Sequence, residues 1–217
     1  MAKREEFLKL FEKYWPALPL ETREAVANFR DIVEKENESQ NLTRLIEPEA
    51  FFEGHVIDVR EFLAMDLKFP ALDLGSGVGV PGLLSALIRK DPWILADSEG
   101  HKARFLERVA GELGVSGHIE VFAGRGEELL LKKRVETVVC RAVGAVERIM
   151  GWIGKCSTWN TLVLFKGPRW EEEWIAVQKT KWGKGLQIKS ERRYDLPVSG
   201  AKRVIVELEY VPRGTLK

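Results

Sequence analysis

Cysteine is scarce in this chain of 217 residues, which has only Cys140 and Cys156. Their spacing makes neither a metal-ligand pair nor a disulfide framework, which fits a reducing cytosol and no metal. No run of about 18 apolar residues is present to cross a bilayer. The charged opening Met1 to Glu6 leads into no apolar h-region, so a cytoplasmic protein without a membrane partner is expected. Charge of one sign is also lacking: 34 Lys and Arg against 33 Asp and Glu leave a formal charge of +1. No strong overall field draws the protein to nucleic acid or anionic lipid, and any such contact has to use local patches. Repeats and low-complexity tracts are missing too. What is there is a 45% hydrophobic fraction, enough for one full domain with a small appendage.

Periodicity divides the chain. Phe7, Leu10, Phe11 and Tyr14 predict a helix over 3–15, and Val26, Phe29, Ile32 and Val33 another over 21–36. A polar break from Asn37 to Thr43 precedes a third helix that starts near Pro48 and turns Phe52, Val56, Val59 and Leu63 inward. From residue 70 short apolar runs alternate with helical stretches: strands over 70–74, 93–97, 118–122, 135–140 and 161–165, helices over 81–90, 101–114 and 145–155. Such alternation needs crossover connections and hence a doubly wound, mostly parallel α/β sheet. Tyr194 to Val198, a turn at Ser199 and Gly200, and Arg203 to Val211 read as a closing hairpin, giving seven strands. The expected organisation is an N-terminal helical extension over 1–66 and a Rossmann-like domain over 67–217, forming one compact unit.

The densest signal lies at Leu72 to Gly82, where an apolar strand meets Asp73 and then Gly75, Gly77 and Gly79. Glycines at alternate positions let the backbone turn sharply against a ligand that side chains would exclude, and Pro81 suits the first turn of the helix that follows. A dinucleotide site would show G-x-G-x-x-G; here the spacing is G-x-G-x-G-x-x-G. A carboxylate at Asp73 would repel a phosphate and attract an ammonium, which favours S-adenosylmethionine over NAD. Asp97, about 20 residues on, ends the second strand where an acid accepts hydrogen bonds from ribose hydroxyls, and serves either cofactor. As an alternative it caps the next helix. Gly124 to Glu128 could present backbone N–H groups to an adenine edge, or could be a turn.

Other pieces join these: Asn41 to Thr43, His55 to Asp58, Asp97 to Lys102 with Phe105 and Leu106, Arg125 to Glu128, Arg141 to Val143, and Lys166 with Gly167. In this order and spacing the chain resembles the ribosomal RNA small subunit methyltransferase G family, also called glucose-inhibited division protein B, over nearly its whole length. The resemblance implies transfer of methyl from S-adenosylmethionine to N7 of a guanine in the 530 loop of 16S rRNA, by a monomer acting on the RNA or the 30S subunit. It places cofactor binding on Gly75, Val80, Asp97, Gly126, Glu127 and Arg141, with Asp73, Gly77 and Gly79 shaping the loop. Asn41, Thr43, His55, Arg125 and Lys166 align with positions that face substrate, and Arg141, Asn41, His55 and Lys166 form the implied catalytic set. The chain departs from the family at Val59, where Ser is usual, at Val80, where Phe or Leu is preferred, at Cys140, and at Gly126, which replaces Ala or Val.

Guanine N7 carries an in-plane lone pair in the neutral base, so attack on a sulfonium methyl needs no general base. Catalysis then rests on orientation and electrostatics, which agrees with the missing nucleophile and base pair. Arg141 could fork onto a methionine carboxylate or reach guanine O6, or could pair on the surface with Glu147 or Asp73. Lys166 could meet RNA phosphate or be solvated, His55 could contact substrate or be a core histidine, and Asn41 and Thr43 could simply cap a turn. Cys140 reads as a small buried residue rather than the nucleophile of a pyrimidine enzyme. The stretch Lys179, Lys181, Lys184, Lys189, Arg192 and Arg193, with Trp182 among them, could grip phosphates and stack on a base, or be a solvated face like Lys132 to Arg134. Remaining alternatives are a methyltransferase on another RNA or substrate, a nucleotide-dependent oxidoreductase, and a ribosome-binding module without turnover.

Overall fold

A computed structural model describes residues 2–210. The chain opens with α1 (Ala2–Tyr14) and α2 (Leu20–Gln40); after a connection over 41–47, α3 (Pro48–Phe51), a π-helical stretch (Phe52–Ile57) and α4 (Asp58–Leu63) follow one another directly. The Rossmann-like part follows: β1 (Ala71–Leu74), α5 (Gly82–Arg89), β2 (Trp93–Asp97), α6 (Gly100–Glu112), β3 (Ile119–Ala123), α7 (Gly126–Leu130), β4 (Thr137–Arg141), α8 (Val146–Ile153), β5 (Thr161–Lys166) and α9 (Trp170–Gln178). The closing strands are β6 (Leu186–Asp195) and β7 (Lys202–Tyr210). No described helix is long and apolar enough to cross a membrane.

The seven strands lie in the order β3-β2-β1-β4-β5-β7-β6. β1 to β5 are parallel, and β7 inserts antiparallel between β5 and β6. The order reverses at β1, between β2 and β4, and the crevice beyond the carboxyl ends there is where open α/β sheets bind ligands. Period-2 alternation splits the core. On β4, Val139 packs with α5, α6 and the N-terminal helices, while Val138 and Cys140 pack with α7, α8 and α9. Phenylalanines on α1 and the 48–63 segment meet edge to face, Phe11 and Phe52 at 4.8 Å and Phe7 and Phe51 at 5.8 Å, the orientation ring quadrupoles favour. Phe62 then packs on Trp93 of β2 and Phe165 of β5, so the N-terminal helices and the sheet share one apolar core.

The structure corrects several expectations. α2 continues through Gln40, and the break comes at Asn41, whose φ of 49° is left-handed and stops the helix. α7 and α9 were not expected; each is short, and α9 carries three consecutive glutamates in its first turn. The last hairpin starts earlier than its sequence suggests. Strand β6 begins at Leu186 and takes in Lys189, Arg192 and Arg193, half of the basic stretch, whose charges pair with acids: Lys189 with Glu207, Arg192 with Glu61, Arg193 with Glu171 and Glu191. Charged side chains on an edge strand also discourage pairing with another chain. Val198 lies outside that strand. Val211, expected to end the final strand, falls outside the described residues.

Candidate functional site

Gly75, Gly77 and Gly79 take φ values of 76°, 54° and 93°, a region that L side chains avoid. A Cβ on Gly79 would stand 3.0 Å from atoms of both Leu83 and Leu106, so the loop lies tight against the helices beneath it. Asp97 ends β2 with both oxygens aimed by backbone: Oδ2 accepts the Gly77 N–H at 2.9 Å, and Oδ1 accepts the Glu99 N–H at 2.9 Å. Asp97 lines a cleft of about 250 Å³ with Leu74, Gly75, Ala96, Gly126, Glu127, Val143 and Trp152. Apolar walls, one oriented carboxylate with lone pairs to spare and the start of α7 make a cleft that can take a ligand with both apolar and hydroxyl-bearing parts. At Gly126 a Cβ would come within 2.3 Å of Leu74 Cδ1, so glycine here is matched to the leucine filling that wall.

Asp73 behaves differently from the expectation. It is buried and lines neither cleft; its Oδ2 accepts the N–H of Gly82, first residue of α5, at 2.9 Å. Burial pushes its carboxyl up to about 7, opposed by the Gly82 hydrogen bond and the Arg141 charge. The helix amide that a pyrophosphate would use is thus already taken by an acid of the chain itself, which speaks against a dinucleotide site.

A second cleft of about 600 Å³ shares Gly75 with the first and is lined by Thr43, Arg44, His55, Asp58, Val80, Arg141, Phe165, Lys166 and Arg203 among others. At its centre the Arg141 guanidinium is clamped. Nε donates to the Val80 carbonyl at 3.2 Å, Nη1 to the Gly54 carbonyl at 2.6 Å and to Asp58 Oδ2 at 3.3 Å, and Nη2 to His55 Nδ1 at 2.8 Å. Those four bonds leave one of the five N–H groups of an arginine for a ligand. The ion pair forms with Asp58, not with Glu147 or Asp73. Gly54 and His55 sit in the π-helical stretch, whose wider turn places a carbonyl and a ring nitrogen on one side; π turns of this kind cluster at functional sites.

His55 is fully buried, and burial followed by the Arg141 charge holds its pKa well below 6.5. The ring is neutral, and because Nδ1 accepts from Arg141 its proton resides on Nε2, which lies 3.4 Å from Thr43 Oγ1. His55 therefore holds the arginine, and Thr43 holds His55 while also accepting the Leu45 N–H. Asp58 is buried too; desolvation raises its pKa, while Arg141 and the Tyr194 hydroxyl, which donates to Oδ1 at 2.6 Å, resist.

Other residues singled out from the sequence are placed elsewhere. Asn41 is exposed, ends α2 and lines neither cleft. Lys166 borders the large cleft, and its ammonium is held by Glu173 at 2.6 Å and the Gly144 carbonyl at 2.9 Å rather than solvated. Arg125 stands exposed at the mouth of the smaller cleft rather than in the larger one. Trp182 is buried against Tyr210 and offers no face for a base. Cys140 is buried with its thiol pushed up by desolvation, which keeps it inert. Val59 is wholly buried in the helical core. Sequence reasoning passed over Gly54, Arg44, Arg148, Trp152, Tyr194 and Arg203. The spacing of Arg148 and Trp152, one helical turn apart on α8, was legible; the Arg148 guanidinium lies 5.0 Å over the Trp152 ring on the wall of the small cleft. No group of three or more His, Cys, Asp or Glu among the described residues could hold a metal.

Comparison with known proteins agrees with this geometry. The family described as rRNA small subunit methyltransferase G matches residues 22–197. The chain is 36% identical over 166 residues to ribosomal RNA small subunit methyltransferase G of Rhodopirellula baltica, covering 74% of this chain and 70% of that one. It is 32% identical over 187 residues to the protein of the same name from Solibacter usitatus, covering 85% and 89%. Among solved structures, TrmK of M. capricolum in complex with S-adenosyl-homocysteine superposes with a TM-score of 0.53 at 11% identity, covering 70% of this chain and 66% of that one. The ribosomal protein L11 methylase of Lactobacillus delbrueckii subsp. bulgaricus gives 0.51 at 12% identity, covering 72% and 76%. These two likenesses show the Rossmann-like methyltransferase fold.

Proposed function

The chain belongs to the rRNA small subunit methyltransferase G family, and from that premise we propose that it transfers the methyl of S-adenosylmethionine to N7 of a guanine in the 530 loop of 16S rRNA, in the cytoplasm. The observation that carries the reading is the meeting of two clefts at Gly75, one nucleoside-sized and ending in Asp97, the other about 600 Å³ and centred on a clamped arginine. The residues fit the cofactor: the glycine loop permits close backbone approach, and Asp97 is oriented for a ribose diol. Gly75, Gly77, Gly79, Asp97, Gly126 and Glu127 would hold the adenosine part, with Val80 and Arg141 beside the remainder. When bound, S-adenosylmethionine supplies an electrophilic methyl on a sulfonium.

The chain itself has to orient rather than to activate. Guanine N7 needs no base to unmask its lone pair, and the large cleft offers none: His55 is neutral with Nδ1 engaged, and Asp58 is paired. The free N–H of Arg141 can bind a carboxylate or guanine O6, and its fixed cation sets the potential in which charge moves from sulfur to purine. Arg44 and Arg203 border the same cleft and add positive charge suited to RNA phosphate. Asn41, Thr43, Arg125 and Lys166 remain candidates for substrate contact, Thr43 through His55 and Lys166 if RNA displaces Glu173.

The test is incubation with labelled S-adenosylmethionine and undermethylated 30S subunits, with aniline cleavage to locate the product. A break at one guanine of the 530 loop is expected. Label elsewhere selects another substrate, stabilisation by NAD instead of S-adenosylhomocysteine selects an oxidoreductase, and RNA binding without transfer selects a binding module.

A further inference from the structure

We propose that Asp58 and Tyr194 are positioning residues for methyl transfer, a relay through which the C-terminal hairpin fixes the direction of the Arg141 guanidinium. The inference rests on the function proposed above. Asp58 opens α4 directly after the π-helical stretch, and its two oxygens face opposite ways: Oδ2 toward Arg141 Nη1 at 3.3 Å, Oδ1 toward the Tyr194 hydroxyl at 2.6 Å. The hydroxyl is the donor, because a carboxylate paired with arginine can only accept. Tyr194 comes from β6, an edge strand 136 positions away in sequence, and its register partner on β7 is Arg203, which borders the same cleft.

The guanidinium has three other anchors, the carbonyls of Gly54 and Val80 and the ring of His55. All of them are neutral acceptors. Asp58 is the one charged partner of Arg141 among the described residues, and a buried carboxylate with a single long hydrogen bond to its cation is poorly held unless a second donor takes its other oxygen. Tyr194 is that donor. Among the described residues the phenol serves no other hydrogen bond, so its hydroxyl acts on the reaction through Asp58.

The experiment compares wild type, Tyr194→Phe, Asp58→Asn, the double variant and Arg192→Ala in methyl transfer to undermethylated 30S subunits, with the melting temperature of each. Arg192→Ala removes the neighbouring clasp of the hairpin to Glu61 and leaves the relay intact, so it reports on docking of the hairpin alone. The expected result is a kcat lower by about three- to ten-fold in Tyr194→Phe and by more in Asp58→Asn, with KM for S-adenosylmethionine changed by less than about two-fold, since the cation itself stays. The double variant falls no further than Asp58→Asn, and Arg192→Ala keeps the wild-type kcat. Equal losses in Arg192→Ala and Tyr194→Phe, additive losses in the double variant, or an unchanged kcat in Tyr194→Phe would each overturn the relay. If Tyr194→Phe does not fold, Asp58→Asn decides alone, a wild-type kcat overturning the proposal. A wild-type enzyme that transfers no methyl refutes the proposed function instead, and the two failures are told apart by that control.

Discussion

Replacing Asp73 by Asn tests the buried acid behind the glycine loop. The carboxyl ionises near 3.8 when solvated and is pushed up to about 7 in the folded chain, chiefly by burial. A folded-state pKa above the unfolded one gives stability that is complete below the lower value and is lost as pH rises through the upper one. Each unit is worth about 1.4 kcal/mol. Between about pH 5 and about pH 8 the unfolded chain has already released this proton while the folded chain is still releasing it, so the wild type gives up about 2–3 kcal/mol on this account. Asparagine cannot ionise, and its amide oxygen can still accept the Gly82 N–H. Denaturant midpoints with m-values at several pH values, on the protein without ligand, should therefore show the wild type losing about 2–3 kcal/mol more than Asp73→Asn over that interval. His55 and Asp58 titrate in both proteins and cancel in the difference. Parallel stability curves would refute the argument, because they would mean that the carboxyl is no more costly to ionise inside than outside.

Three further outcomes are expected. Arg141→Lys keeps a cation but cannot span Gly54, Val80, His55 and Asp58 together, so methyl transfer should fall at least about ten-fold, with about 1–3 kcal/mol of stability lost for each buried acceptor left unpaired; transfer assays and denaturation check both. Asp97→Ala should weaken S-adenosylmethionine binding about ten-fold or more by calorimetry, in line with about 1.5–3 kcal/mol for charged hydrogen bonds. Ala142 follows Arg141 with φ at 58°, so Ala142→Gly should relieve about 1 kcal/mol of left-handed strain and raise the melting temperature by about 2–4 °C, an effect that an unchanged or lower value contradicts.

The parallel half of the sheet is legible because β1, β2, β4 and β5 are buried on both faces and read as mainly apolar runs between polar turns, with Asp73 the one charge inside β1. β6 is not. Its Lys189, Arg192 and Arg193 look like a solvated run until Glu61, Glu171 and Glu207, far apart in sequence, are brought beside them. The same limit applies to the site. Asp97 is readable as a candidate because it ends a strand beside a glycine loop. Asp73 lies one residue before the end of β1, and its side chain falls on the sheet face that packs α5, where it meets the Gly82 N–H, a pairing that glycine spacing does not show. Arg141 was identifiable as a charged residue at a carboxyl edge, but its partners come from 61 to 87 positions away. The π turn that brings two of those partners together leaves little trace in hydrophobic periodicity, since Phe52, Val56 and Val59 still read as one helix.

The hairpin of β6 and β7 closes on the 48–63 segment three times: Tyr194 on Asp58, Arg192 on Glu61, and the amides of Val198 and Ser199 on Glu53 at 2.7 Å each. A chain emerging from the ribosome amino end first has every residue lining the smaller cleft, and all four acceptors of Arg141, once α8 is out, while the hydroxyl that holds Asp58 still waits for residue 194. Synthesis thus has a built-in order in which the guanidinium and its acceptors precede the phenol that steadies its counter-ion. A polypeptide halted before β6 would hold the first without the second.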